Sequence, residues 1–157
     1  MIKAIRGTKD ILPAESPIWH KVENISRDTL KLFGYQEIRT PIIEEAALFI
    51  KNIGEETDIV SKEMFSFTDR GDRFISLRPE GTTPIIRSYI ENNLDKISQF
   101  QKLYYIGPFF RAERPQAGRL RQFHQIGVEA IGSPHPALDA EMITLSARLL
   151  DAVGING

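Results

Sequence analysis

The residues that could do chemistry in this 157-residue chain crowd into one stretch, Phe109 to Gln125, which reads Phe-Phe-Arg-Ala-Glu-Arg-Pro-Gln-Ala-Gly-Arg-Leu-Arg-Gln-Phe-His-Gln. A guanidinium forks onto phosphate or carboxylate oxygens, so Arg111 can hold an anion at a defined angle. Strand period two puts Phe123, Gln125, Gly127 and Glu129 on one face and His124, Ile126 and Val128 on the other. On the preceding strand Phe109, Arg111 and Glu113 share a face, so the arginine can meet the polar face of the next strand across a hairpin. Phe123 offers a stacking plate for a base, and Glu129 can receive a cationic or N–H-bearing group. Gly127 leaves an opening in the strand where a ligand can approach the backbone. The arrangement suits recognition of a small zwitterion beside a phosphorylated nucleotide. An ordinary solvated strand face fits the same pattern.

Arg114, Gln116, Arg119 and Arg121 fall in or beside the loop between the two strands, where Pro115 and Gly118 oppose regular structure. Its three arginines could meet a polynucleotide backbone, or simply be solvated. A second cluster is Leu77-Arg78-Pro79-Glu80-Gly81-Thr82-Thr83-Pro84, in which a strand leads into a helix start. Such a terminus presents free N–H groups, and Gly81 lets a ligand reach the backbone. Glu80 there can bind an ammonium group, or stabilise the helix dipole as a first-turn acid. His20, His124 and His135 are too scattered for a metal site, and no metal ligand set is expected. Gly-x-Ser-x-Gly, P-loop and Gly-x-Gly-x-x-Gly motifs are missing, which removes the common hydrolase, Walker-type and Rossmann readings.

The elements that must position these groups follow from periodicity. Ile18, Trp19, Val22, Ile25, Leu30 and Phe33 recur at helical spacing, with Pro17 suited to a first turn and Gly34 to a stop, so Ser16–Phe33 is predicted as an amphipathic helix. Tyr35–Thr40 reads as a short strand ended by Pro41, Glu44–Ile53 as a helix closed by Gly54, and Glu55–Glu63 as loop. Met64–Thr68 and Phe74–Leu77 flank Asp69-Arg70-Gly71-Asp72, a hairpin in which Gly71 would supply the positive φ. Thr83 is expected as an N-cap with Pro84 at the first helical position, opening a helix to about Asn93. Lys102–Arg111 and Leu120–Ile131 are the two long strand candidates. Ser133–Pro136 is a breaker, and Leu138–Val153 is a last helix. Interspersed helices and hairpin-forming strands favour an α+β fold with an antiparallel sheet over a doubly wound parallel one.

Composition sets the outer limits. Twenty Lys and Arg against 21 Asp and Glu leave a formal charge of −1, which excludes a globally basic nucleic-acid binder. The charge is uneven, however: residues 102–125 hold Lys102, Arg111, Arg114, Arg119 and Arg121 against Glu113 alone. An anionic ligand at one place is the simplest use of that segment. With no cysteine there is no disulfide framework, thiolate metal site or cysteine nucleophile. The first 13 residues lack an apolar signal core and no stretch approaches a membrane span, so a cytoplasmic protein with no membrane partner is the default expectation.

Leu-Arg-Pro-Glu-Gly-Thr at 77–82 and the block at 110–125 closely resemble histidyl-tRNA synthetases, which are class II aminoacyl-tRNA synthetases. Ala4-Ile5-Arg6-Gly7-Thr8-Lys9-Asp10 adds support, as do the helix and strand ending at Pro41, which look like that family's motif 1. The resemblance implies a class II antiparallel sheet flanked by helices, a homodimer through the motif 1 region, and ATP-dependent activation of histidine before its transfer to the 3′ end of tRNA(His). It implies that Arg111 binds the α-phosphate and the histidine carboxylate, with Glu113 and Phe123 near adenine. Glu80 and Gln125 would face the α-amino group and Glu129 the imidazole, with Gly81 and Thr82 also at the histidine. Arg114, Gln116, Arg119 and Arg121 would meet the tRNA.

In-line attack at phosphorus needs positioning and charge neutralisation, so Arg111 and Mg2+ would suffice without a protein nucleophile. Residues 1–157 would be the N-terminal part of the catalytic domain, carrying motifs 1 and 2 but not motif 3 or an anticodon-binding domain. Such a truncated piece is expected to be inactive alone. Two other readings compete: the synthetase-like regulatory subunit of ATP phosphoribosyltransferase, which would sense histidine and bind no tRNA, and a plain nucleic-acid-binding hairpin. The intact Arg-Pro-Glu-Gly-Thr and Glu-Arg-Pro-Gln blocks argue against the first, and the near-neutral charge against the second.

Overall fold

A computed structural model describes residues 1–54, 57, 59–114, 116 and 118–155. The loop expected at Glu55, Glu56 and Asp58, and the positions of Pro115 and Ala117, lie outside the described residues. The chain forms two compact units, each built from three stretches of sequence.

The first unit comprises residues 10–38, 93–106 and 126–157. Helix α1, Ser16–Leu32, carries Pro17 in its first turn. It ends where Gly34, at φ 80°, bends the chain back. There the Gly34 and Tyr35 N–H groups donate to Lys31 and Leu30 carbonyls, closing the helix as the sequence led one to expect. Helix α5, Pro136–Val153, packs against α1 and starts two residues earlier than its periodicity predicts. The reason is His135, whose Nδ1 accepts from the Ala137 N–H at 3.1 Å and so caps the helix.

Between these helices and the sheet lies a core of Leu30, Tyr35, Tyr104 and Leu145, with Ile106, Ile126, Val128, Ala130 and Met142 against it. Full burial of a leucine such as Leu30 or Leu145 is worth about 1.5–3 kcal/mol. Ile126 and Val128 thus point inward, as period two requires. Lys102 Nζ donates to the Phe33 carbonyl at 3.0 Å and pairs with Glu141 at 2.7 Å, tying strand to both helices. A short helix α4, Leu94–Ile97, was not foreseen.

The sheet over this core has the order β1-β5-β6, with β1 at Gln36–Glu37, β5 at Gln101–Phe110 and β6 at Gln122–Ile131. β1 pairs with β5 in parallel, Gln36 opposite Leu103 and Glu37 opposite Tyr104. The antiparallel fold expected from the sequence thus carries one parallel edge: β1 reaches β5 after a long connection through other elements, as a parallel pair requires and a tight hairpin could not provide.

The second unit comprises residues 1–9, 39–92 and 107–125. Its own sheet is fully antiparallel, order β2-β4-β3, with β2 at Ile43–Glu45, β3 at Ser66–Thr68 and β4 at Phe74–Leu77. Helix α2, Ala46–Ile53, is shorter than predicted because Ile43–Glu45 are extended. A π-helical turn at Ile59–Glu63 replaces the end of the predicted loop.

In the β3–β4 turn the positive φ belongs to Asp72, at 59°, and not to Gly71. Asp69 explains the difference. Its carboxylate accepts from the Gly71 and Arg73 N–H groups at 2.8 and 3.0 Å and from Arg73 Nε at 2.8 Å, which shapes the turn and lets aspartate take the left-handed residue. The Arg73 guanidinium, hydrogen-bonded to Asp69, holds that carboxyl below the usual carboxylate range.

Candidate functional site

Helix α3 spans Thr82–Glu91, with Gly81 at its N-cap position. Thr83 is therefore inside the helix and is not its cap, and Pro84 falls in the first turn, where a missing N–H costs nothing. Glu80 does the capping. Its carboxylate accepts from the Thr82 N–H at 2.6 Å and from the Thr83 N–H at 3.0 Å. The helix terminus expected to offer free N–H groups thus has two of them already satisfied. A carboxylate accepts at about four lone-pair sites, so Glu80 retains capacity for a further donor.

Immediately upstream, Arg78 is buried, with 7% of its surface exposed. Its Nε donates to the Pro108 carbonyl at 3.0 Å and its Nη1 to the Thr40 carbonyl and hydroxyl at 3.0 and 3.1 Å. The guanidinium carbon lies 4.4 Å from the centre of the Phe109 ring. Its backbone is held as well: the Arg78 N–H donates to Ile42, and the Phe110 N–H donates to the Arg78 carbonyl. A desolvated cation satisfied by several acceptors and an aromatic face is expensive to disturb. Sequence reasoning passed over Arg78, although a lone arginine at a strand end before proline was visible.

The next carbonyl, Pro79, accepts from Arg111 Nε at 3.0 Å. Arg111 also lies over Phe123, 5.2 Å from guanidinium carbon to ring centre, and Phe123 packs on Phe109 with centroids 6.3 Å apart. The Arg111 N–H donates to the Arg121 carbonyl, which fixes the hairpin register at this point. Glu113 sits between two arginines, 3.8 Å from Arg111 Nη1 and 3.4 Å from Arg119 Nη1. Together Arg111, Glu113, Gly118, Arg119, Leu120, Phe123 and His124 line a cavity of about 510 Å³. It offers an anion fork beside a stacking ring. A larger groove of about 590 Å³ between α2 and α3 has no aromatic ring among the described residues that line it, and its arginine, Arg87, is paired closely with Glu44 at 2.7 Å and with Glu91.

In the loop, Gln116 and Arg119 form an isolated antiparallel bridge closed by Gly118 at φ 77°. Arg114 and Arg119 are exposed there, while Arg121 Nε donates to the Glu113 carbonyl at 3.3 Å. Of the predicted nucleotide residues, Arg111, Glu113 and Phe123 are therefore brought together. Gln125, further along the same face of β6, has a buried Oε1 with no hydrogen-bond partner among the described residues. Such an orphaned acceptor costs about 1–3 kcal/mol unless something donates to it. Glu80 and Gly81 stand one and two residues beyond the carbonyl that holds Arg111, and Thr82 is exposed at the helix start.

Glu129 belongs to the other unit and is half-buried on β6. In that unit, a Cβ on Gly127 would lie 2.2–2.6 Å from atoms of the Tyr105 ring. The opening predicted for a ligand above Gly127 is taken by that phenol ring. Period two on β5 places Tyr105 on the face of Arg111, a signal that could have found it.

Arg111 over Phe123, a helix start capped by Glu80 and the orphaned acceptor of Gln125 are groups that can fork onto an anion, stack against a flat ring and accept from a donor. Residues 7–157 match the family model described as histidyl-tRNA synthetase, and the chain belongs to that family. It is 54% identical over all 157 residues to a histidine–tRNA ligase of Solibacter usitatus, covering 38% of that protein. Among solved structures it is similar to apo histidyl-tRNA synthetase of S. aureus, at 42% identity and a TM-score of 0.83, over 98% of this chain and 35% of that one. A structure from Bacillus halodurans, titled as an ATP phosphoribosyltransferase regulatory subunit/histidyl-tRNA synthetase, matches 99% of this chain and 39% of its own at 27% identity and a TM-score of 0.84. The chain thus spans little more than a third of the length of these relatives.

Proposed function

We propose that residues 1–157 are the N-terminal part, with motifs 1 and 2, of the class II catalytic domain of a cytoplasmic, homodimeric histidine–tRNA ligase. The reaction is attack of the histidine carboxylate on the α-phosphorus of ATP, giving histidyl adenylate and pyrophosphate, and then transfer of the histidyl group to the 3′ end of tRNA(His). The observation that carries this reading is the juxtaposition of Arg111 with Phe123 of β6, whose next residue on the same face, Gln125, holds a buried oxygen with no hydrogen-bond partner among the described residues.

In this reading Arg111 clamps the α-phosphate and the histidine carboxylate, while Phe123 and Glu113 receive the adenine. Its guanidinium is pre-positioned by Pro79, which lowers the reorganisation needed as charge develops. Gln125 accepts from the histidine ammonium group, with Glu80, Gly81 and Thr82 beside it, and Glu129 accepts from the imidazole. Arg114, Gln116, Arg119 and Arg121 meet the acceptor end of the tRNA. Mg2+ would arrive on the ATP phosphates, its usual mode of binding in nucleotide sites. Among the described residues, no helix is long and apolar enough to cross a membrane.

The test is histidine-dependent exchange of pyrophosphate into ATP by the intact protein. Exchange specific to histidine is expected. Histidine binding without exchange would replace the ligase reading with that of a histidine-sensing regulatory subunit. Residues 1–157 alone are expected to show no aminoacylation, and measurable turnover by them would refute the division of the pocket.

A further inference from the structure

The first nine residues carry Lys3, Arg6 and Lys9 and no carboxylate. They belong to the same compact unit as the hairpin residues 107–125. The Thr8 N–H and hydroxyl both donate to the Ile5 carbonyl, at 2.9 and 2.8 Å, so Ile5–Thr8 form a reverse turn with Arg6 and Gly7 at its corner. Gly7 has φ 90°, the conformation that the third residue of a type II turn demands and that glycine alone adopts freely. Its carbonyl is the anchor. It accepts from the Arg121 N–H at 2.7 Å and from the Gln122 N–H at 3.3 Å, at the point where β6 begins.

This turn therefore fixes an exposed cation, Arg6, one Cα step of about 3.8 Å from a residue bonded to the base of the arginine loop. Lys3 is exposed on the same short segment. Residues 1–9 and 111–122 together hold seven cations, namely Lys3, Arg6, Lys9, Arg111, Arg114, Arg119 and Arg121, against Glu113. That carboxylate is already shared by Arg111 and Arg119. Among the described residues neither Lys3 nor Arg6 has a carboxylate partner. A segment with that charge, pinned by its backbone with Lys3 and Arg6 exposed, has the form of a phosphate-contacting arm.

We propose that Met1–Lys9 is an arm of the polynucleotide-binding surface, in which Lys3 and Arg6 contact backbone phosphates next to the arginine loop. The inference rests on the reading of the hairpin as a tRNA-binding element and adds residues outside it. Contacts of this kind give affinity and orientation without reading bases.

The experiment measures tRNA(His) binding by the intact protein across a series of salt concentrations, for the unaltered chain, for K3Q/R6Q and for R114Q/R119Q. Each phosphate contact contributes roughly 0.7–0.9 to the slope of log affinity against log salt. For K3Q/R6Q the slope is expected to fall by about 1.4–1.8, with affinity lost at low salt and histidine-dependent pyrophosphate exchange unchanged. An unchanged slope in K3Q/R6Q with a reduced one in R114Q/R119Q overturns the arm and leaves the hairpin reading standing. Unchanged slopes in both overturn the arm and the tRNA-binding hairpin together. A loss of exchange in K3Q/R6Q alongside an unchanged slope also overturns the arm, because the residues would then act on the small-molecule site.

Discussion

The guanidinium of Arg78 stands where a side chain on Gly107 would begin: a Cβ there would lie 2.7 Å from Nη2. Because Arg78 is tethered to Thr40 and Pro108, it cannot swing aside without losing hydrogen bonds. Gly107→Ala is expected to cost about 1–3 kcal/mol, as overpacking does. Arg78→Lys, which keeps the charge and loses the fork, is expected to unfold at lower denaturant and to slow pyrophosphate exchange, because the Pro79 carbonyl that aims Arg111 follows it in the chain. Urea melts and exchange rates on both variants check this. Unaltered stability of Gly107→Ala would show the guanidinium to be free to move.

On the ligase reading proposed above, Arg111→Ala in the intact protein is expected to lower pyrophosphate exchange by at least about 10²-fold while leaving the fold intact. Circular dichroism and exchange assays separate the two effects. Unchanged turnover would remove Arg111 from the phosphate role.

Gln125 offers a test with opposite signs for folding and binding. Gln125→Met replaces an orphaned buried oxygen by an apolar group of similar size, so the ligand-free protein should be as stable as before or slightly more so. The same change should raise the KM for histidine. Loss of stability without a change in KM would mean that the oxygen serves the fold and not a ligand.

Gly127→Ala should be destabilising because the new methyl meets the Tyr105 ring. Pairing it with Tyr105→Ala should recover part of that loss, giving a clearly non-additive double-mutant cycle. Strict additivity would rule out the steric account.

Tyr35, 2% exposed, donates through its hydroxyl to Glu141 and Met142. Burial first and the Glu141 carboxylate second push its pKa from 10.0 up to about 12. The folded pKa is raised, so the corresponding stability is complete below pH 10 and is lost as pH rises towards 12. Over that window the unaltered protein should lose up to roughly 2–3 kcal/mol more than Tyr35→Phe. Parallel pH dependences of the two melts would contradict the shift.

Much of this molecule was legible from residue patterns. Helical spacing located α1 and α5, alternation located β5 and β6 with their inward Ile126 and Val128, and the pairing of Arg111 with Phe123 followed from period two. What escaped were contacts that depend on side chains reaching a backbone a few residues away. Asp69 took over the β3–β4 turn from Gly71, and Glu80 capped α3 in place of Thr83. Both are short acids whose carboxylates can mimic a turn or a cap, and neighbouring sequence does not say which donor they will reach. Tyr105 over Gly127 and Arg78 against Gly107 are partnerships between distant or adjacent strands. A glycine announces that space is needed without saying what fills it.

The two-residue strand β1 has a consequence for how the chain comes to be folded. Glu37 lies opposite Tyr104, and the two side chains are hydrogen-bonded across 67 residues of sequence. During synthesis β1 has no partner until Tyr104 has emerged, and closing so long a loop earns little until the core around Tyr104 is in place. The helix-bounded unit must therefore wait for residues made much later, while the β2-β4-β3 sheet can pair from a continuous stretch. Order of assembly follows from that difference: the smaller sheet first, and the parallel edge among the last contacts to close.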